Sequence, residues 1–180
     1  MDNSLRFPDI VFTSLTNDEL KYILSQSEIK ISNMIEEAEI LYSRSITIIS
    51  ISLPLLTLVV AYIFKHDEIL VNKIAAAIVA LFLFIVCVKL RQNIIPAPYK
   101  TTGSRPSIMT DIVFYKDIEE GKNPEFYMLL AQLKEAENKI IINEETNLAR
   151  AGNLKNAINY LFWCPVGVLI IYLLSIFLQF

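Results

Sequence analysis

The sequence predicts an all-α membrane protein with three transmembrane helices, two of which continue into a cytoplasmic helical stalk. Uncharged runs at 46–64 and 157–180 hold 19 and 24 residues, and at about 1.5 Å rise per residue some twenty suffice to cross roughly 30 Å of hydrocarbon. A third run, IAAAIVALFLFIVCV at 74–88, is shorter. Residues 69–71 before it and Leu90 after it extend it, with Lys73, Lys89 and Arg91 snorkelling toward the interfaces. Stripes of apolar residues lead into the first and last runs without an intervening break, which predicts the stalk. Composition agrees: of 180 residues 54% are hydrophobic and 19% charged, with a mean hydropathy of +0.46, against about 25% charged in soluble domains.

The chain divides into an N-terminal cytoplasmic segment with an amphipathic helix (1–45), a two-span hairpin (46–90), a cytoplasmic loop and long helix (91–156) and a third span (157–180). Residues 1–15, with Pro8 and a short apolar knot at Ile10, Val11 and Phe12, read as a loop or short strand. Thr16-Asn17-Asp18-Glu19 matches a capping box and predicts a helix start. Leu20, Ile23 and Leu24, Ser27, Ile31, Met34 and Ile35, Ala38, and Leu41 and Tyr42 then recur at helical spacing as one face. Pro54 predicts a kink inside the first span, since it lacks the backbone donor. Lys65-His66-Asp67-Glu68 is too short for a domain, so the first two spans are expected to be antiparallel neighbours.

Beyond the hairpin, Pro96, Pro98, Gly103 and Pro106 punctuate a loop, and Ile112-Val113-Phe114-Tyr115 reads as either a strand or a buried turn. Asn123-Pro124-Glu125 predicts the next helix, with Asn123 as N-cap and Pro124 at the first helical position. Its stripe runs through Phe126, Leu129 and Leu130, Leu133, Ala136 and Glu137, Ile140 and Ile141, Glu144, Leu148, Ala151 and Leu154, weakening midway. Pro165 and Gly167 invite a bend in the third span, and Asn159, Tyr160 and Trp163 suit its interface. The two stripes are expected to pack as antiparallel helices.

Ten of the sixteen Lys and Arg follow the second span, four precede the first, and only Lys65 and Lys73 lie between. Cytoplasmic segments hold the excess of these cations, so the N-terminus is expected in the cytoplasm and the C-terminus outside. The first 40 residues show no basic n-region followed by an apolar h-region, and the first apolar run is expected to serve as the insertion signal. Net charge is −3, which argues against long nucleic acid as a partner.

Residue types argue against an enzyme. His66 is the single histidine and sits in a polar connector. Cys87 and Cys164 lie in apolar runs and read as small hydrophobes, not as a disulfide or metal pair. The four glycines follow no phosphate-cradling order, so neither a cofactor nor a metal is expected. Anion-binding material is present in Arg91, Lys100, Arg105, Lys116, Arg150 and Lys155, with Tyr99, Phe114 and Tyr115 available to stack on a base. The positive-inside rule accounts for the same cations without any ligand.

An N-terminal helix, a two-span hairpin, the patch Phe114-Tyr115-Lys116-Asp117-Ile118, Phe126-Tyr127, and a long helix with Asn147-Leu148-Ala149-Arg150 and Leu154-Lys155 before a last span resemble the Pycsar transmembrane effector domain. The resemblance covers the chain from about Asn33 onward. It implies a bacterial antiphage effector that responds to a cyclic nucleotide, a mononucleotide in that family, made by a neighbouring cyclase, and that then impairs the inner membrane; a homo-oligomer is expected. Arg105, Lys116, Arg150 and Lys155 are the candidate ligand-binding residues. A holin-like or scaffold membrane protein without a ligand, and a two-span effector of an oligonucleotide-cyclase system, are the alternatives.

Overall fold

A computed structural model describes residues 15–65, 69–97, 99–103 and 124–178. Among the described residues there are three α-helices, α1 (Asn17–Ile63), α2 (Leu70–Ile94) and α3 (Pro124–Leu178), and no strand. The readings placed on residues 1–14, His66, 112–115 and Asn123 lie outside the described residues.

Each helix starts for a local reason. At α1 the Glu19 N–H donates to Thr16 Oγ1 at 3.3 Å while the Thr16 N–H donates to Glu19 Oε2 at 2.8 Å, closing the capping box. The Thr16 backbone bond, reinforced by its hydroxyl, holds the Glu19 carboxyl below its ordinary value. Pro124 opens α3, where its missing N–H costs nothing, and Glu125 in the first turn complements the positive helix end. At 47, 25 and 55 residues the helices are about 70, 38 and 83 Å long. Pro54 and Pro165 lie inside α1 and α3 and end neither helix, a tolerance typical of membrane helices.

The chain forms two compact units. One comprises Met1–Glu36 and Pro98–Glu145, the other Glu37–Ala97 and Thr146–Phe180. In the first unit, Leu20 packs with Leu129 and Leu133, and Ile31 and Met34 pack with Ala136 and Ile140. Partner numbers rise together, and Lys21 pairs with Glu125 at 2.7 Å where both helices begin. The helices are therefore parallel, which corrects the antiparallel expectation.

The second unit packs all three helices. Leu41 of α1, Val86 and Leu90 of α2, and Leu154 and Ala157 of α3 form its core, with Ile48, Ile49 and Tyr160 against them. α2 runs antiparallel to its neighbours, as a short connector requires: Asn93 near its end meets Ser45, and Asn72 near its start meets Tyr172.

Buried positions of α3 fall at Leu129, Leu133, Ala136, Ile140, Asn143, Asn147, Arg150, Leu154 and Ala157. The steps alternate between four and three residues, the 3.5-residue period of knobs-into-holes packing. The stripe read from apolarity instead passed through Glu144 and Leu148, and Leu148 is 67% exposed. The seam does not weaken midway. It turns polar while keeping its period.

Large apolar side chains face outward along the spans: Ile51, Leu58, Phe162 and Leu174 are all more than half exposed. Of the most apolar stretch of α1 only 6% is buried within the chain, of that of α2 22% and of that of α3 6%. Such continuous exposed apolar surface fits lipid as its solvent, and all three helices are long and apolar enough to cross it. The chain is a multi-pass helical membrane protein.

Candidate functional site

The polar stretch of the seam, in the second unit, is built from residues that no local motif announces. Ser45 is fully buried on α1 and its hydroxyl donates to the Leu41 carbonyl at 2.7 Å, a bond that satisfies its proton within its own helix. Its oxygen accepts from Asn93 Nδ2 at 3.0 Å. The same Asn93 nitrogen donates to the Arg150 carbonyl at 2.9 Å, and Asn93 Oδ1 accepts from Asn153 Nδ2 at 3.2 Å. Asn153 also reaches Gln92 Oε1 at 3.2 Å. One buried amide thus ties α2 to both other helices.

Arg150 completes this layer. Only 7% exposed, it sends Nη2 to the carbonyl of Ile95 at 2.9 Å. Ile95 caps the C-terminus of α2, its own N–H bonding to the Arg91 carbonyl at 3.3 Å. A guanidinium here satisfies a carbonyl beyond the helical ladder and meets the negative end of the α2 dipole. Nearby Asn147 donates to Glu37 Oε2 at 3.2 Å. A charge this covered is retained only where it is hydrogen-bonded, so Arg150 marks the most specified point of the seam.

The first unit holds a second polar arrangement. Asn143, fully buried on α3, receives the Lys100 N–H at 3.1 Å on Oδ1 and donates Nδ2 to the Lys100 carbonyl at 3.0 Å, binding the backbone as a neighbouring strand would. Lys139, paired with Glu135 at 3.0 Å, donates to the Gly103 carbonyl. These bonds strap residues 99–103 onto α3. Gly103 sits at φ +82°, where a Cβ would be strained. Beside the strap lies a notch of about 80 Å³ lined by Leu24, Glu28, Ile31, Gln132 and Lys139, well below the roughly 300 to 1,000 Å³ of ligand pockets.

Comparison of the chain with family profiles, with curated proteins and with solved structures gives no match. Its site is therefore argued from its own geometry. Of the four candidate cations, Arg150 is buried in the polar layer, Lys155 is exposed five residues further along α3, and Arg105 and Lys116 lie outside the described residues. Cys87 and Cys164 are half-buried and unbonded. No three His, Cys, Asp or Glu converge among the described residues. The sequence reading did not place Ser45, Asn93, Asn143 or Asn147 on the buried face, although extending the four-three spacing from Leu129 through Ile140 would have landed on Asn143, Asn147 and Arg150.

Chemically the layer is a set of amide and hydroxyl groups beside one guanidinium, joined by hydrogen bonds between the helices. Arg150 is a strong donor, and one of its bonds goes to a neutral carbonyl. Charge-assisted bonds to phosphate are roughly twice as strong as bonds between neutral groups.

Proposed function

We propose that this chain is a non-enzymatic effector of the bacterial inner membrane acting in antiphage signalling. In this reading a cyclic nucleotide made by a partner cyclase binds its cytoplasmic side, and the oligomeric spans then impair the membrane. The N-terminus lies in the cytoplasm and the C-terminus outside, a placement that the excess of Lys and Arg before the first span and after the second supports. The observation that carries the reading is Arg150 in a buried polar layer at the end of α2. A hydrophobic layer there would fix one packing. Exchangeable hydrogen bonds allow a second, in which phosphate replaces the Ile95 carbonyl on the guanidinium and α2 loses that tie to α3. The ligand shifts the equilibrium only by its preference for the second packing. Lys155, Arg105 and Lys116 add cations to the same cytoplasmic segment.

The test is expression with and without an active cyclase while membrane potential is followed by a dye. Alone, the chain leaves the potential intact; with cyclase, the potential collapses. Substitution of Arg105, Lys116, Arg150 or Lys155 to Gln identifies the cations that the ligand needs, provided the variant still inserts. Depolarisation equal in both conditions overturns the sensor reading and favours a holin-like protein.

A further inference from the structure

The end of the second unit remote from the polar layer carries a cleft of about 410 Å³, and all three helices line it. α1 contributes Leu58, Val59 and Tyr62, α2 contributes Asn72, Ala75, Ala76 and Val79, and α3 contributes Val168 and Tyr172. Ala75 is buried and Leu58 is 66% exposed, so small side chains make the floor and large ones the rim. Further along the helices α3 packs against α2 at Gly167, where an added Cβ would stand in ordinary contact with Ile78 and Phe82 at 3.5 Å. Toward the connector it ends at a polar pair, with the Tyr172 hydroxyl donating to Asn72 Oδ1 at 2.9 Å. From Asn72 to Val79 the slot is about 10 Å deep along α2.

We propose that this cleft binds one acyl chain of a bilayer phospholipid, with the ester region of the lipid at Asn72 and Tyr172. Three physical points select this occupant. The lining lies within the membrane-spanning stretches, where an apolar space left empty forfeits the dispersion contacts of its walls and a water would need two to four polar partners. The polar groups occur together at the end facing the interface, the depth at which ester carbonyls sit, and the Asn72 amide carries N–H donors suited to them. A second copy of the chain fits poorly. Helices associate in lipid through small residues that let backbones touch, whereas here the alanines lie behind larger side chains and a helix measures about 10 to 12 Å across. A single flexible chain reaches the floor. The inference requires only the membrane spans and stands apart from any cyclic nucleotide.

The experiment uses the full chain purified from vesicles of phosphatidylethanolamine and phosphatidylglycerol and examined by native mass spectrometry during stepwise delipidation. Wild type retains one phospholipid per chain after the remaining lipid is stripped. Ala76→Phe and Val168→Phe, which fill the cleft from different helices, lose it, while Phe84→Ala on an exposed face of α2 retains it. Helicity by circular dichroism confirms that the variants compared are folded. A wild type that keeps no lipid, or a lipid equally retained in a folded cleft-filling variant, overturns the proposal. So does efficient cysteine cross-linking from position 76 to a second copy.

Discussion

Replacing Asn93 separates a structural role from a switching one. Its amide is fully buried and makes three interhelical bonds, to Ser45 at 3.0 Å, to the Arg150 carbonyl at 2.9 Å and from Asn153 at 3.2 Å. Soluble-protein values of about 1 kcal/mol for each bond set an upper total near 3 kcal/mol. Interhelical bonds in membranes average about 0.6 kcal/mol, which sets a lower total near 2 kcal/mol. The cavity left by Asn93→Ala adds about 1 kcal/mol, so that variant loses about 3 to 4 kcal/mol. Asn93→Leu loses the same bonds and leaves no cavity. Ser45 still donates to Leu41, Asn153 still reaches Gln92, and the new side chain joins Leu41, Val86, Leu90 and Leu154. Its cost is about 1 to 2 kcal/mol, because apolar replacement of a buried polar group recovers much of the loss. Denaturant titration of helicity in mixed micelles, with reversibility established, measures both. The apolar layer also fixes the packing that ligand must change, so Asn93→Leu inserts normally yet fails to depolarise. An Asn93→Ala variant within about 0.5 kcal/mol of wild type would mean that the layer is not buried and hydrogen-bonded as described.

The seam register predicts that Leu154→Ala, at a buried position, costs about 2 to 5 kcal/mol, while Leu148→Ala, at an exposed one, changes stability by less than about 0.5 kcal/mol in the same titration; a loss at Leu148 as large as that at Leu154 would restore the apolar stripe. A reporter fused after Phe180 is active only outside the cytoplasm and one inserted at Gly121 only inside, and activity on one common side would remove the third span. The Lys21 side-chain bond and charge hold the Glu125 carboxyl below its ordinary value, and Glu125 holds Lys21 above its own. A depressed carboxyl contributes stability above its unfolded value, near 4.3, and loses it as pH falls through the folded value. A raised lysine keeps its contribution below about 10.4 and loses it as pH rises through the folded value. Melting of the wild type therefore declines slightly at both extremes. In Glu125→Gln that decline is smaller and less salt-dependent, since the pair is exposed and screened.

Elements with purely local causes were legible. The capping box, Pro124 at the start of α3, the three spans and the α1 face from Leu20 to Leu41 all follow from short-range pattern. Helix direction was not, because pairing was inferred from the existence of two stripes and not from the side of the membrane at which each begins. The polar layer was missed for a different reason. Apolarity stood in for burial, and Asn143, Asn147 and Arg150 are buried by virtue of partners on other segments: Lys100, Glu37 and Ile95. Arg150 did stand out as a cation, but nothing near it in sequence indicates that its guanidinium meets the C-terminus of α2. The cleft depends on Ala75 and Ala76 lying opposite Val168 and Tyr172, a juxtaposition that only three-helix packing produces.

Dye efflux from sealed vesicles reports most directly on whether a nucleotide opens the membrane through this chain. Purified protein is reconstituted with a self-quenching dye, and cyclic mononucleotides and cyclic oligonucleotides are added singly at micromolar concentrations. The proposed effector keeps vesicles sealed until one nucleotide arrives, then releases dye with a dose dependence that matches its binding, and Arg150→Gln abolishes the response with insertion intact. Vesicles that leak equally without nucleotide, or stay sealed with every nucleotide and bind none, contradict the effector reading.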